Sequence, residues 1–218
     1  MNGYFRDRAD AGARLAQALP GNLAKEDVLV LALPRGGVPV GYAVAQALGG
    51  ELDVLLVRKL GVPGQPELAM GAIASGGTLY INEQVRAAYH VGDEDFERVL
   101  AAERAELRRR EKSYRGDRPP ARLLGRTVIV VDDGIATGAS MRTALLALRS
   151  GRPGRVIVAV PVAPADARAR FADLADDFVS VHSPRDFAAV GQFYDDFGQV
   201  EDEEVHELLA ESAKEPIR

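Results

Sequence analysis

The chain has 218 residues, a length that suits one large domain or two small ones, and its 47% hydrophobic content supplies a sizeable core and excludes wholesale disorder. Acidic residues (32) outnumber basic ones (27) for a formal charge of −5, so no global attraction draws the chain to nucleic acid or an anionic membrane, and neither is expected as a partner. The lack of Cys removes disulfides, thiolate catalysis and thiolate metal sites, and His90, His182 and His206 lack the spacing of a zinc site.

Residues 2–10 carry interspersed charges and lack the apolar stretch of a signal peptide. The longest apolar runs, such as residues 28–33, fall far short of the roughly 20 residues that span a bilayer. A soluble, cytoplasmic protein is the resulting expectation. No internal repeat is evident, and the Gly and Pro residues are not periodic.

In chain order, residues 8–19 form an amphipathic helix with Ala11, Leu15, Ala18 and Leu19 near one face, ended by Pro20 and Gly21. Residues 28–33 are a nearly unbroken apolar run, as a strand covered on both faces requires. A loop at 34–37 leads to a helix at 38–48, closed by Gly49 and Gly50. A second buried strand at 54–57 ends at Arg58 and Lys59. Residues 61–77 are rich in Gly and Pro and read as an irregular excursion, with a hairpin as one form of it.

A short strand is expected at 78–81 and a long helix at 93–114, where Phe96, Val99, Leu100 and Leu107 recur at helical spacing. Glu94 with Arg98 and Glu106 with Arg110 are i,i+4 pairs in the favourable order. The run Arg108, Arg109, Arg110 reads as a solvated face ahead of a binding patch. After Pro119 and Pro120 comes a third buried strand at 128–131, a loop, and a helix to about 148. Strands at 156–160 and 178–181 flank a helix at 164–174. Residues 183–218 mix aromatic with acidic residues and end in a short charged helix. This alternation predicts an α/β fold, an open parallel sheet with helices on both faces and right-handed crossovers.

Open α/β sheets bind ligands outside the carboxyl ends of their strands. Three segments qualify: Pro34, Arg35, Gly36 and Gly37; Arg58 and Lys59; and residues 132–140. Alone, Gly36 and Gly37 read equally as a turn, and Arg58 and Lys59 equally as an exposed strand end. The third segment is more demanding. Asp132 and Asp133 directly follow four β-branched residues, repel each other, and need something positive or hydroxyl-bearing beside them. The loop after them offers backbone N–H groups at a helix N-terminus and the hydroxyls of Thr137 and Ser140, a nest for phosphate. A ligand with both a phosphate and a diol fits that arrangement.

The run Val128, Ile129, Val130, Val131, Asp132, Asp133, Gly134, Ile135, Ala136, Thr137, Gly138, Ala139, Ser140 resembles the 5-phosphoribosyl 1-pyrophosphate (PRPP) signature of type I phosphoribosyltransferases at every position. The Pro34-Arg35-Gly36-Gly37 loop resembles that family's pyrophosphate loop. Arg58 and Lys59, followed by a Gly/Pro-rich segment, resemble its second strand and flexible flap. The likeness runs in order from about 28 to 150, and the sheet alternation extends it to about 181. Phosphate motifs of the P-loop and Rossmann kinds do not match, and there is no G-x-S-x-G elbow.

The resemblance implies one domain over 1–218, with a core at about 25–182, a flap at about 60–78, and a hood at about 183–200 joined by N-terminal residues. It implies that Asp132 and Asp133 hold the ribose hydroxyls, directly or through water on Mg²⁺, and that Gly134, Ile135, Ala136, Thr137, Gly138, Ala139 and Ser140 wrap the 5-phosphate. Arg35, Gly36 and Gly37 would take the pyrophosphate, with a cis peptide between Pro34 and Arg35. Arg35, Arg58, Lys59 and Mg²⁺ would stabilise the leaving group, and residues 61–77 would serve as a lid against water. Glu67 in that segment reads as a catalytic carboxylate or as a hinge salt bridge.

Some purine-salvage members carry an Asp where this chain has Ala136, so the general base is left unassigned. Phe187, Phe193, Tyr194 and Phe197, with Tyr4 and Phe5, would stack on a planar base or form the hood's own core. The implied function is transfer of phosphoribosyl from PRPP to a base-like acceptor by an Mg²⁺-dependent enzyme, and homodimers are common in the family. The alternatives are a PRPP-responsive regulator with a basic face at 104–115, and hydrolysis or phosphorolysis of a ribosyl phosphate.

Overall fold

The computed structural model describes residues 5–214. In chain order, α1 (Arg8–Ala18) leads to β1 (Val28–Ala32), α2 (Gly37–Leu48), β2 (Glu51–Val54), β3 (Val57–Val62), β4 (Gln65–Ala74), β5 (Thr78–Ile81), α3 (Glu83–Ala88), α4 (Asp93–Arg115), β6 (Thr127–Val131), α5 (Ala139–Leu148), β7 (Arg155–Val162), α6 (Ala167–Phe171), β8 (Asp177–His182) and α7 (Asp202–Ser212). Five strands pair in parallel in the order β2-β1-β6-β7-β8. Successive side chains of a strand point to opposite faces, so an apolar run is buried on both. Val28, Val30 and Ala32 of β1 pack with α1, α2 and α7, while Leu29 and Leu31 pack with α5 and α6. Helices therefore cover both faces, as the alternation predicts. No helix among the described residues is long and apolar enough to cross a membrane.

Helix ends follow local chemistry. The Asp7 side chain accepts the Asp10 N–H at 2.7 Å and caps α1. Gly49 takes the left-handed conformation (φ 65°) that closes α2. One expectation shifts here, and one short helix is new. The helix expected at 164–174 shortens to α6, because Ala163 N–H still donates to His182 O at 3.1 Å, so sheet pairing persists up to Pro164. The six-residue α3, capped by Asn82 on Val85 N–H at 3.1 Å, is too short to leave a periodic signal.

The larger correction concerns residues 54–81. The parallel strand stops at Val54. Leu55 N–H still reaches Ala32 O at 2.8 Å, but Leu56 N–H turns to Ser75 Oγ at 3.0 Å and Ser75 N–H returns to Leu56 O at 2.9 Å. That exchange hands the chain to a second, antiparallel sheet of order β3-β4-β5. Arg58 and Lys59 therefore lie within β3 and not at the end of a parallel strand. The Gly/Pro-rich excursion is an ordered hairpin turned at Gly64 (φ 79°), and the strand at 78–81 belongs to this sheet. Its apolar face, with Leu60, Val62, Met70 and Ile73, packs on Phe96, Leu100 and Leu107 of α4.

The far end of α4 is tied to the parallel sheet. Arg115 is 6% exposed and Asp53 5%. The guanidinium donates from Nε to Asp53 Oδ1 at 2.6 Å, to Glu111 at 3.1 Å and to Val54 O, and the second Asp53 oxygen accepts Ala121 N–H at 3.1 Å. A buried charge stripped of its partner is costly. Arg115→Met should therefore lower stability by about 3–5 kcal/mol, read as a fall in the urea midpoint at unchanged slope. A shift below about 0.5 kcal/mol would show that this pair does not anchor the helix.

Candidate active site

The carboxyl ends of β1 and β6 are neighbours in register, Ala32 opposite Val131, and Leu33 N–H donates to Val131 O at 2.9 Å. The two loops that follow are therefore set side by side. The first turns back tightly: the Pro34–Arg35 peptide is cis, and Gly37 N–H bonds Leu33 O at 3.0 Å. A Cβ on Gly36 would sit on the Asp133 carboxylate, 2.7 Å from its Cγ, and one on Gly37 would lie 2.9 Å from Val131 O and 3.0 Å from Asp132 Cα. Both glycines are required because the backbone of this loop touches the acidic pair.

The acidic pair is held from three sides. Asp133 N–H donates to Asp132 Oδ1 at 2.9 Å, and Arg8 Nε donates to Asp133 Oδ2 at 2.9 Å. The Tyr194 hydroxyl donates to Asp133 O at 2.6 Å. Burial, with the Asp133 charge beside it, pushes the Asp132 carboxyl well above the usual carboxylate range. Burial also raises Asp133, against the opposing pull of Arg8. Burial pushes the Tyr194 phenol up as well, and the neighbouring Asp133 charge adds to it. The site favours a cation or a hydroxyl donor.

The second loop begins with Gly134 and buried Ile135, whose N–H bonds Val162 O at 2.9 Å at the end of β7. It ends at Gly138 (φ 79°), the N-cap of α5, where a Cβ would meet the Phe171 ring at 2.8 Å. Ala136, Thr137, Ala139 and Ser140 are exposed around the first turn of α5. That turn leaves N–H groups without intrahelical partners at the positive end of the helix dipole. The first turn of α5, the acidic pair and the glycine loop thus gather at the carboxyl end of the parallel sheet.

Arg58 and Lys59 stand apart from it. Arg58 Nε donates to Glu103 Oε2 at 2.6 Å and ties β3 to α4. Lys59 Nζ pairs with Glu67 Oε2 at 3.0 Å and with Glu67 O at 3.1 Å. Glu67 is accordingly found in a salt bridge. Strand alternation puts Lys59 on the face of Val57 and Arg58 on the opposite one. A cleft of about 470 Å³ opens beside the 34–37 loop, bounded by Arg35, Val57, Ser140 and the last turns of α4.

Of the aromatic residues near the chain end, Phe193 and Tyr194 form a small core with Phe5, which pairs with Tyr194 as an isolated parallel bridge. Phe187 packs on Phe193 with ring centroids 5.4 Å apart. Phe197 is 37% exposed and carries the Arg8 guanidinium 4.0 Å above its ring. Tyr4 lies outside the described residues. Sequence reasoning missed Arg8, which sits 125 residues from its partner and belongs to no local motif. It also missed the bond from the Tyr194 hydroxyl. Among the described residues, no cluster of three or more His, Asp or Glu could by itself hold a metal ion.

Gly36→Ala must drive the Asp133 carboxylate off Arg8. It should cost about 1–3 kcal/mol in thermal unfolding, whereas Gly21→Ala, with nothing within 4 Å of its Cβ position, should stay within about 0.5 kcal/mol. Equal effects would show that the glycine loop does not press on the acidic pair.

Comparison with known proteins agrees with this geometry. A family model described as the phosphoribosyl transferase domain matches residues 5–197. The chain is 46% identical over 205 residues to Rv0571c of Mycobacterium tuberculosis strain H37Rv and to MT0597 of strain CDC 1551, both provisionally named phosphoribosyl transferases. The alignment covers 94% of this chain and 46% of each relative, so the chain spans about half the length of the curated relatives it matches. The crystal structure of TT1426 from Thermus thermophilus is similar at a TM-score of 0.84 and 50% identity, covering 95% of this chain and 98% of that one. With the glycine loop, the acidic pair and the anion nest all inside the matched region, the chain belongs to the phosphoribosyl transferase family.

Proposed function

We propose that the protein transfers the 5-phosphoribosyl group of PRPP to a nitrogenous base or related acceptor and releases pyrophosphate. The observation that carries this reading is the contact of the Gly36–Gly37 backbone with the Asp132/Asp133 pair, one residue before the α5 loop begins. One phosphorylated sugar with an anionic leaving group fits across all three. Its 5-phosphate takes the N–H groups and hydroxyls of residues 135–140. Its 2′- and 3′-hydroxyls donate to Asp132 and Asp133, and its pyrophosphate meets Arg35, Gly36 and Gly37.

In the reaction the bond from C1 to pyrophosphate oxygen breaks with its electron pair leaving on oxygen, and the acceptor nitrogen bonds to C1 and loses a proton. Positive charge on the sugar ring faces the carboxylates, and negative charge on the leaving group faces Arg35. Lys59, on the cleft-lining face of β3, adds a cation when it exchanges Glu67 for the leaving group. Arg58 is committed to Glu103 and acts by holding the β3–β5 sheet to α4. In this reading that sheet takes the role of excluding water. Position 136, an alanine, moves no proton.

Mg²⁺ fits this donor set as an ion held mainly by phosphate oxygens and water. Asp132 and Asp133 would hold it through water. When bound it neutralises part of the pyrophosphate charge.

The test is pyrophosphate release from PRPP and Mg²⁺ across a panel of purine, pyrimidine and other nitrogenous acceptors. One acceptor class should give turnover, and Asp133→Asn should lower it by at least about 100-fold with an unchanged circular dichroism spectrum. Unchanged turnover in that variant would remove the diol assignment. Tight PRPP binding with no turnover on any acceptor would replace the transferase reading with a PRPP-binding regulator.

A further inference from the structure

The arginine run on α4 does not face solvent alone. Arg109 and Arg110 line the same cleft as Arg35 and Ser140. Their hydrogen bonds leave donors over. Arg109 commits Nε and Nη2 to the two oxygens of Glu106, at 2.8 and 2.9 Å. Arg110 commits only Nε, to the same carboxylate at 2.8 Å. One carboxylate thus serves two guanidiniums, and both terminal nitrogens of Arg110 make no hydrogen bond among the described residues. Arg35 makes none through its guanidinium either. Its nearest carboxylates, Glu201 and Asp202, each lie 3.7 Å away, beyond hydrogen-bond reach. Asp202 already accepts the Tyr114 hydroxyl at 2.9 Å.

A polar cleft with surplus guanidinium donors suits an anion with several oxygens, and the one carboxylate that lines it among the described residues, Asp202, is engaged by Tyr114. Glu106 does not cancel this. The two guanidiniums hold its carboxyl down at about 2, so it stays ionised and keeps Arg109 oriented. The cleft begins at the 34–37 loop, where the leaving group of the proposed reaction emerges.

We propose that Arg109 and Arg110 are further binding residues for the pyrophosphate end of the donor, closing on it from α4 opposite Arg35. The inference rests on the transferase reading and deepens it: the cation that would otherwise come from Arg58 is supplied by a helix of the second sheet. The leaving pyrophosphate is then met by guanidiniums on both sides.

Calorimetric titration of sodium pyrophosphate and, separately, ribose 5-phosphate in metal-free buffer tests this. The proteins are the unmodified chain, the double variant Arg109→Gln/Arg110→Gln, and Arg108→Gln. Arg108 is an exposed neighbour that does not line the cleft, so its variant controls for charge alone. The double variant should bind pyrophosphate at least about tenfold more weakly, the loss expected for one charge-assisted hydrogen bond or more. It should bind ribose 5-phosphate as the unmodified chain does, and Arg108→Gln should match the unmodified chain on both. Equal pyrophosphate binding by the double variant, or an equal loss in Arg108→Gln, overturns the inference. Binding of ribose 5-phosphate without pyrophosphate by the unmodified chain also overturns it and leaves the sugar site standing. Binding of neither ligand removes the transferase reading itself.

Discussion

Two carboxylates forced together at the end of a buried strand dominate this molecule. Asp132 and Asp133 cannot spread apart, because β6 delivers them from the centre of the parallel sheet and the 34–37 loop presses on them from β1. Water cannot solvate them fully there, and the Asp133 charge adds to the cost of charging Asp132. The surroundings respond with donors: the Asp133 backbone N–H, the Arg8 guanidinium and, beyond them, the open first turn of α5. Even so, Asp132 is left short of partners. A sugar diol would supply the missing donors, and that shortage is the physical basis of the proposed diol assignment.

The rest of the fold fixes the distances around this pair. Parallel register brings β1 and β6 to their ends at the same height, which sets the two loops in contact. Apolar packing on both faces makes that register expensive to slip. The antiparallel sheet then rides on α4, and α4 is pinned at its far end by the buried Arg115–Asp53 pair. Arg109 and Arg110 lie between these two anchors, so their reach into the cleft is set by the same contacts that hold the second sheet in place.

Much of this is legible in the residues themselves. The glycines at 36 and 37, the acidic pair and the loop to Ser140 are contiguous segments whose chemistry is local, and the alternation of apolar runs with amphipathic stretches points to the parallel sheet. What escapes is long-range. A short strand at 78–81 announces its conformation but not its partner, so its place in a second sheet is invisible. Arg58 and Lys59 follow apolar residues as strand-end residues would, yet the handover at Leu56 and Ser75 is a pairing across 19 residues. Arg8 and Asp133 are 125 residues apart, and nothing near either one announces the other. The arginines of α4 read as a solvated face because their sequence neighbours are charged. Only the fold sets two of them beside a cleft that they share with Arg35.

The most direct test is a crystal structure of the protein with PRPP bound. The sugar hydroxyls should lie on Asp132 and Asp133, with the 5-phosphate against the backbone of residues 136–140 and the pyrophosphate beside Arg35. An electron-density map showing that crevice without ligand, or the 5-phosphate seated elsewhere while Arg8 and Asp133 stay paired, would contradict the account.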